Sequence, residues 1–116
     1  MTSGIRTITI PVKDLGAAKA LYRTLLGVEP YADQPYYVGF RPEGAPEIGL
    51  DPNGHAQGMT GPVTYWHVDD IAAATAELVA AGAQEQQAAR DVGAGTLIAT
   101  VRDADGNVIG LYQPPA

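Results

Sequence analysis

The chain has 116 residues, no cysteine, and a net charge of −6 from 7 basic and 13 acidic side chains. That length fits one domain with a real core, and the absence of cysteine excludes disulfides and thiolate metal sites and fits a reducing, cytoplasmic setting. The basic residues Arg6, Lys13, Lys19, Arg23, Arg41, Arg90 and Arg102 are scattered, which argues against nucleic acid and anionic membranes as partners, and no apolar run approaches the ~20 residues of a membrane span.

The first element is a strand over 5–12, in which Ile8, Ile10 and Val12 alternate with Thr7, Thr9 and Pro11. Asp14 stands at a helix N-cap position. Ala18, Leu21, Tyr22 and Leu25 follow at helical spacing as an apolar stripe, and Gly27 ends the helix. Short strands are expected near 28–31, 36–41 and 47–50, between turn signals such as Asp33-Gln34-Pro35 and Pro42-Glu43-Gly44. Residues 52–61 read as a linker.

The pattern then starts again. Val63–Val68 reads as a strand and Asp69-Asp70 precede a second helix, with Ile71, Ala74, Leu78 and Ala81 as its stripe and Gly82 as its end. Further strands are expected over 83–87, 96–102 and 108–112, the last two joined by the turn Asp103-Ala104-Asp105-Gly106. The halves superpose: Val12-Lys13-Asp14-Leu15 falls on Val68-Asp69-Asp70-Ile71 at an offset of 56 (12 to 68), and Ile48-Gly49-Leu50 falls on Ile109-Gly110-Leu111 at an offset of 61 (48 to 109). One strand–helix–strands unit is therefore present twice.

With its two strand–Val-x-Asp–helix–Gly openings and the ending Asp-Ala-Asp-Gly-Asn-Val-Ile-Gly-Leu-Tyr-Gln at 103–113, the chain resembles the vicinal oxygen chelate superfamily, which includes glyoxalase I, extradiol dioxygenases and bleomycin-resistance proteins. The resemblance covers about residues 4–114. It implies an α+β fold of two βαβββ modules, about 4–51 and 62–114, whose sheets curve into an open cup with the helices outside. It also implies a homodimer.

In the superfamily's metal enzymes, His or Glu from the first and last strands of each module hold one divalent metal. Carried over residue by residue, those positions are Thr7, Gly49, Val63 and Gly110. Glycine and valine offer no donor, so no metal and no other cofactor are expected at that place. Parity places Thr7, Thr9, Gly49, Val63, Tyr65, Gly110 and Tyr112 along the cup, a lining suited to a planar, aromatic or apolar organic ligand, and the net charge of −6 would favour a cationic one. Such a pocket resembles the metal-free, drug-binding members of the family. Glu47 and Asp51 flank Gly49 at period two and His67 lies toward the rim. Three residues thus form a candidate displaced metal site, or a metal-free acid–base centre with His67 as the catalytic base oriented by Glu47 or Asp51. Tyr65 suits core packing as well as ligand contact, Tyr36 or Tyr37 must face inward, and Trp66 is expected in the core. Three readings follow: a small-molecule-binding protein, an enzyme, or a dimeric interaction module with a filled cup.

Overall fold

The computed structural model describes residues 1–116. Its elements run β1 (Thr2–Pro11), α1 (Leu15–Leu26), β2 (Ala32–Gln34), β3 (Tyr37–Phe40), β4 (Glu47–Asp51), a short 3-10 turn (His55–Gln57), β5 (Val63–Val68), α2 (Ile71–Ala80), β6 (Gln84–Asp91), β7 (Leu97–Arg102) and β8 (Val108–Gln113). The class is α+β, and βαβββ occurs twice.

Contacts divide the chain into two bodies, Thr7–Val63 and Met1–Arg6 with Thr64–Ala116. In the first body the strand order is β2-β3-β4-β1. β1 runs parallel to β4, with Thr7 opposite Glu47, Thr9 opposite Gly49 and Pro11 opposite Asp51. β3 lies antiparallel to β4, with Gly39 opposite Gly49. In the second body the order is β5-β8-β7-β6. β5 runs parallel to β8, with Tyr65 opposite Gly110 and His67 opposite Tyr112.

The helix starts are built alike. Asp14 accepts from the Ala17 backbone N–H and Asp70 from that of Ala73, each satisfying one orphan donor of its first turn. Gln113 adds a tie that the periodicity did not reveal, because its Oε1 accepts from the Ile71 N–H at 2.8 Å. Gly27 caps α1 at φ +70°, donating to the Arg23 carbonyl, a left-handed position that glycine takes without steric cost.

Each module has its own core on the face its helix covers. In the first, Val12, Val38, Phe40 and Leu50 are buried, with Ile10, Leu15, Ala18, Tyr22, Leu26, Val28 and Ile48 packed against them. In the second, Val68, Ile71, Ala74, Ala99 and Leu111 are buried, with Leu78, Leu97 and Ile109 against them. Burying each large aliphatic or aromatic side chain is worth about 1.5–3 kcal/mol.

Four expectations are corrected. Leu21 and Leu25 are exposed, and α1 packs the half-buried Leu15, Ala18, Tyr22 and Leu26 against the core instead. At about 100° per residue, Leu21 and Leu25 lie roughly 60–100° round the helix from that stripe. Residues 28–31 form no strand: Val28 turns into the core and β2 begins at Ala32. The strand over 83–87 extends to Asp91, with all eight residues exposed, and its glutamines suit a sheet edge in water. Trp66 shares the Val68 side by parity yet is only half-buried.

Candidate functional site

Strand alternation gives each module a second face, turned away from its helix. In the first module the register places Thr7, Thr9, Tyr37, Gly39, Glu47, Gly49 and Asp51 there. Thr7 and Thr9 are half-buried, whereas Glu47 is only 6% exposed. A buried carboxylate needs donors. Oε2 of Glu47 accepts from Tyr31 Oη at 2.8 Å and from Tyr37 Oη at 2.5 Å. Oε1 faces Arg41 Nε at 3.4 Å. The Arg41 guanidinium also lies over the Tyr31 ring, 3.7 Å from its centroid.

Two glycines make this cluster possible. A Cβ on Gly49 would stand 2.2 Å from Tyr37 Oη, and one on Gly39 would stand 2.7 Å from Tyr31 Cε1 and 2.9 Å from Tyr37 Cε2. The space over Gly49 is therefore taken by the Tyr37 ring. Of the adjacent pair Tyr36 and Tyr37, the second turns inward and the first is exposed. Withdrawal of its hydroxyl from water, the hydrogen bond to Glu47 and the charge of that carboxylate together raise the Tyr31 pKa, with Arg41 acting in the opposite sense. The phenol thus stays a donor at neutral pH.

Asp51, grouped with this face in the sequence, does other work: its Oδ1 accepts from the Asn53 N–H at 2.8 Å and closes the turn after β4. Val63 is buried at the start of β5.

In the second module Tyr65, His67, Gly110 and Tyr112 share the face away from α2. A Cβ on Gly110 would lie 2.5 Å from Tyr65 Cδ1, so the Tyr65 ring fills that space. His67 Nδ1 is 2.7 Å from Ser3 Oγ, and Thr2 Oγ1 donates to the His67 carbonyl at 2.6 Å. His67 Nε2 is buried without a hydrogen-bond partner and lies 3.8 Å from Asp69 Oδ1. The Tyr112 ring meets the imidazole edge-on at 6.4 Å and carries the Arg6 guanidinium at 5.1 Å. The side chains found at the His67 ring are Ser3 and Asp69, which the sequence reading missed because their link to His67 comes from tertiary placement of the N-terminal strand (Ser3) and from a bend after β5 (Asp69).

The ending that carried the resemblance is a hairpin turn. Asp103 Oδ1 accepts from the N–H groups of Asp105 and Asn107, and its Oδ2 from Asn107 Nδ2. The Asn107 side chain, then these backbone donors, hold the Asp103 carboxyl below its usual range.

A family model for the Glyoxalase/Bleomycin resistance protein/Dioxygenase superfamily matches residues 4–111. The chain belongs to that superfamily. Among solved structures, a methylmalonyl-CoA epimerase from Mycobacterium tuberculosis is similar at 21% identity, covering 99% of this chain and 90% of that one with a TM-score of 0.71. A superfamily member from Vibrio splendidus is similar at 17% identity, covering 95% and 99%, with a TM-score of 0.71. A Streptomyces coelicolor methylmalonyl-CoA epimerase variant is similar at 18% identity, covering 100% and 97%, with a TM-score of 0.76. These likenesses establish the fold. No curated protein sequence matches.

By the resemblance, the superfamily's usual metal positions would fall on Thr7, Gly49, Val63 and Gly110. One hydroxyl, one isopropyl group and two glycines overlain by tyrosine rings do not make a donor set for a divalent cation. No group of three or more His, Asp or Glu side chains that could hold a metal ion is present.

Proposed function

We propose that this superfamily member binds a small organic molecule on the helix-free face of its strands, independently of a metal at the superfamily's usual position. The observation that carries the reading is Glu47. A buried carboxylate held by two tyrosine hydroxyls, with ring faces around it and threonines on the next strand, is a fixed polar point in an aromatic setting. Ligand sites are commonly built that way, with a few placed polar groups orienting a largely apolar molecule. The residues at the usual metal positions support the metal-independent part.

The test is an NMR screen of a fragment library against isotopically labelled protein, with and without a chelator. Saturable shifts at the amides of Thr7, Thr9, Tyr37, Glu47 and Gly49 in chelator are expected. An absence of saturable hits, or hits that vanish with chelator, would sink the reading.

A second reading is an acid–base enzyme centred on His67. The Ser3 hydroxyl, 2.7 Å from Nδ1, favours it, since such a contact orients an imidazole for proton transfer. Solvent exchange of substrate protons that survives unchanged in His67→Ala would remove it.

A further inference from the structure

Arg41 occupies a place that looks built for a cation. On one side of its guanidinium is the Tyr31 ring face, at 3.7 Å. On another is Glu47 Oε1, at 3.4 Å from Nε. The Tyr31 and Tyr37 hydroxyls hold the opposite carboxylate oxygen and so fix the carboxylate in place. An aromatic face beside a fixed carboxylate is the chemistry that recognises planar delocalised cations, which stack on the ring and pair with the oxygen.

The bracket and its occupant differ in how they are held. Glu47 is 6% exposed, whereas the Arg41 side chain is 56% exposed. Arg41 also lies just beyond the last residue of β3, ahead of the turn in which the Ala45 N–H bonds to the Pro42 carbonyl. Its side chain can therefore swing outward by rotation about its own bonds, with no ladder hydrogen bond broken. The pair joins an exposed guanidinium to a buried carboxylate at 3.4 Å, so water competes for the Arg41 side of it, and the guanidinium is held by that contact, by the Tyr31 face and by its tether. A tethered group competes with a free one as though present at roughly millimolar concentration. The net charge of −6 favours approach of a cation.

We propose that Tyr31, Tyr37 and Glu47 form a binding site for the guanidinium or amidinium group of a small organic cation, with Arg41 as a built-in occupant that the ligand displaces. This rests on the small-molecule reading above and names the ligand class for the same face.

The test titrates methylguanidinium chloride, and neutral N-methylurea as its uncharged counterpart, into the wild-type protein, Arg41→Ala, Arg41→Gln and the double variant Arg41→Ala/Glu47→Gln at constant ionic strength. The readout is the NMR shift of the Tyr31, Gly39 and Glu47 amides, with the rest of the spectrum reporting the fold. Saturation in the wild type at millimolar concentrations is expected, at least tenfold tighter in both Arg41 variants, and at least tenfold weaker again when Glu47 is neutralised. Equal affinity in wild type and Arg41 variants would overturn the proposal, as would equal binding of N-methylurea. Saturation confined to the Arg41 variants would overturn it too, since Arg41 would then be a permanent part of the fold. If neutral fragments bind this face while methylguanidinium does not, the cation site falls and the small-molecule reading stands.

Discussion

Replacing Gly49 by alanine tests whether this glycine serves space and not backbone freedom. Gly49 lies inside β4, and its φ is not in the left-handed region, so alanine meets no conformational penalty there. The added Cβ would stand 2.2 Å from Tyr37 Oη and 2.7 Å from the ring atoms Cε1 and Cζ. Ordinary carbon contacts need about 3.5–4 Å, so the ring must withdraw by roughly 1 Å. That movement takes the hydroxyl away from Glu47. Overpacking costs about 1–3 kcal/mol, and a hydrogen bond to a charged partner is worth about 1.5–3 kcal/mol. A loss of about 2.5–6 kcal/mol is therefore expected, read by urea unfolding with the single tryptophan, Trp66, as the fluorescent probe. The same substitution in a Tyr37→Ala background should cost less than about 1 kcal/mol, because the ring it collides with is gone. Equal costs in the two backgrounds would refute the reasoning.

Gly110→Ala should behave alike in the second module, where its Cβ would meet the base of the Tyr65 ring, at 2.5 Å from Cδ1 and 2.7 Å from Cγ; a loss of about 1–3 kcal/mol in thermal or urea unfolding is expected, relieved by Tyr65→Ala. Tyr31 should ionise above the ordinary phenol value of about 10 in an ultraviolet titration, and Glu47→Gln should bring it part of the way back, since withdrawal from water remains. Because the folded state raises this pKa, the associated stability is complete below the unfolded value of about 10 and is lost as pH rises through the folded one. Asp103 should titrate below the ordinary carboxylate value of about 3.9 in carbon-detected NMR and rise in Asn107→Ala. Its folded pKa is depressed, so its contribution is present above the unfolded pKa and fades as pH falls through the folded one.

The sequence by itself determined the duplication, the class and the faces. Val12 and Val68, Asp14 and Asp70, and Gly49 and Gly110 marked equivalent positions. They became equivalent structure: two N-caps of one geometry and two parallel pairings, of β1 with β4 and of β5 with β8. Capping and strand alternation are local, so they are written in neighbouring residues.

What fills the space over the glycines was not legible. At Gly49 a ring arrives from β3 and at Gly110 one arrives from β5, and nothing in residue spacing says which neighbour supplies it. The same holds for Glu47, whose partners Tyr31, Tyr37 and Arg41 come from the stretch before β2, from β3 and from the turn beyond it. It holds for His67, whose ring meets Ser3, 64 residues away in the chain. Alternation decides the face on which a side chain stands. Only the packing of strands decides what stands beside it, and on the helix-free face those neighbours set both the charge and the room.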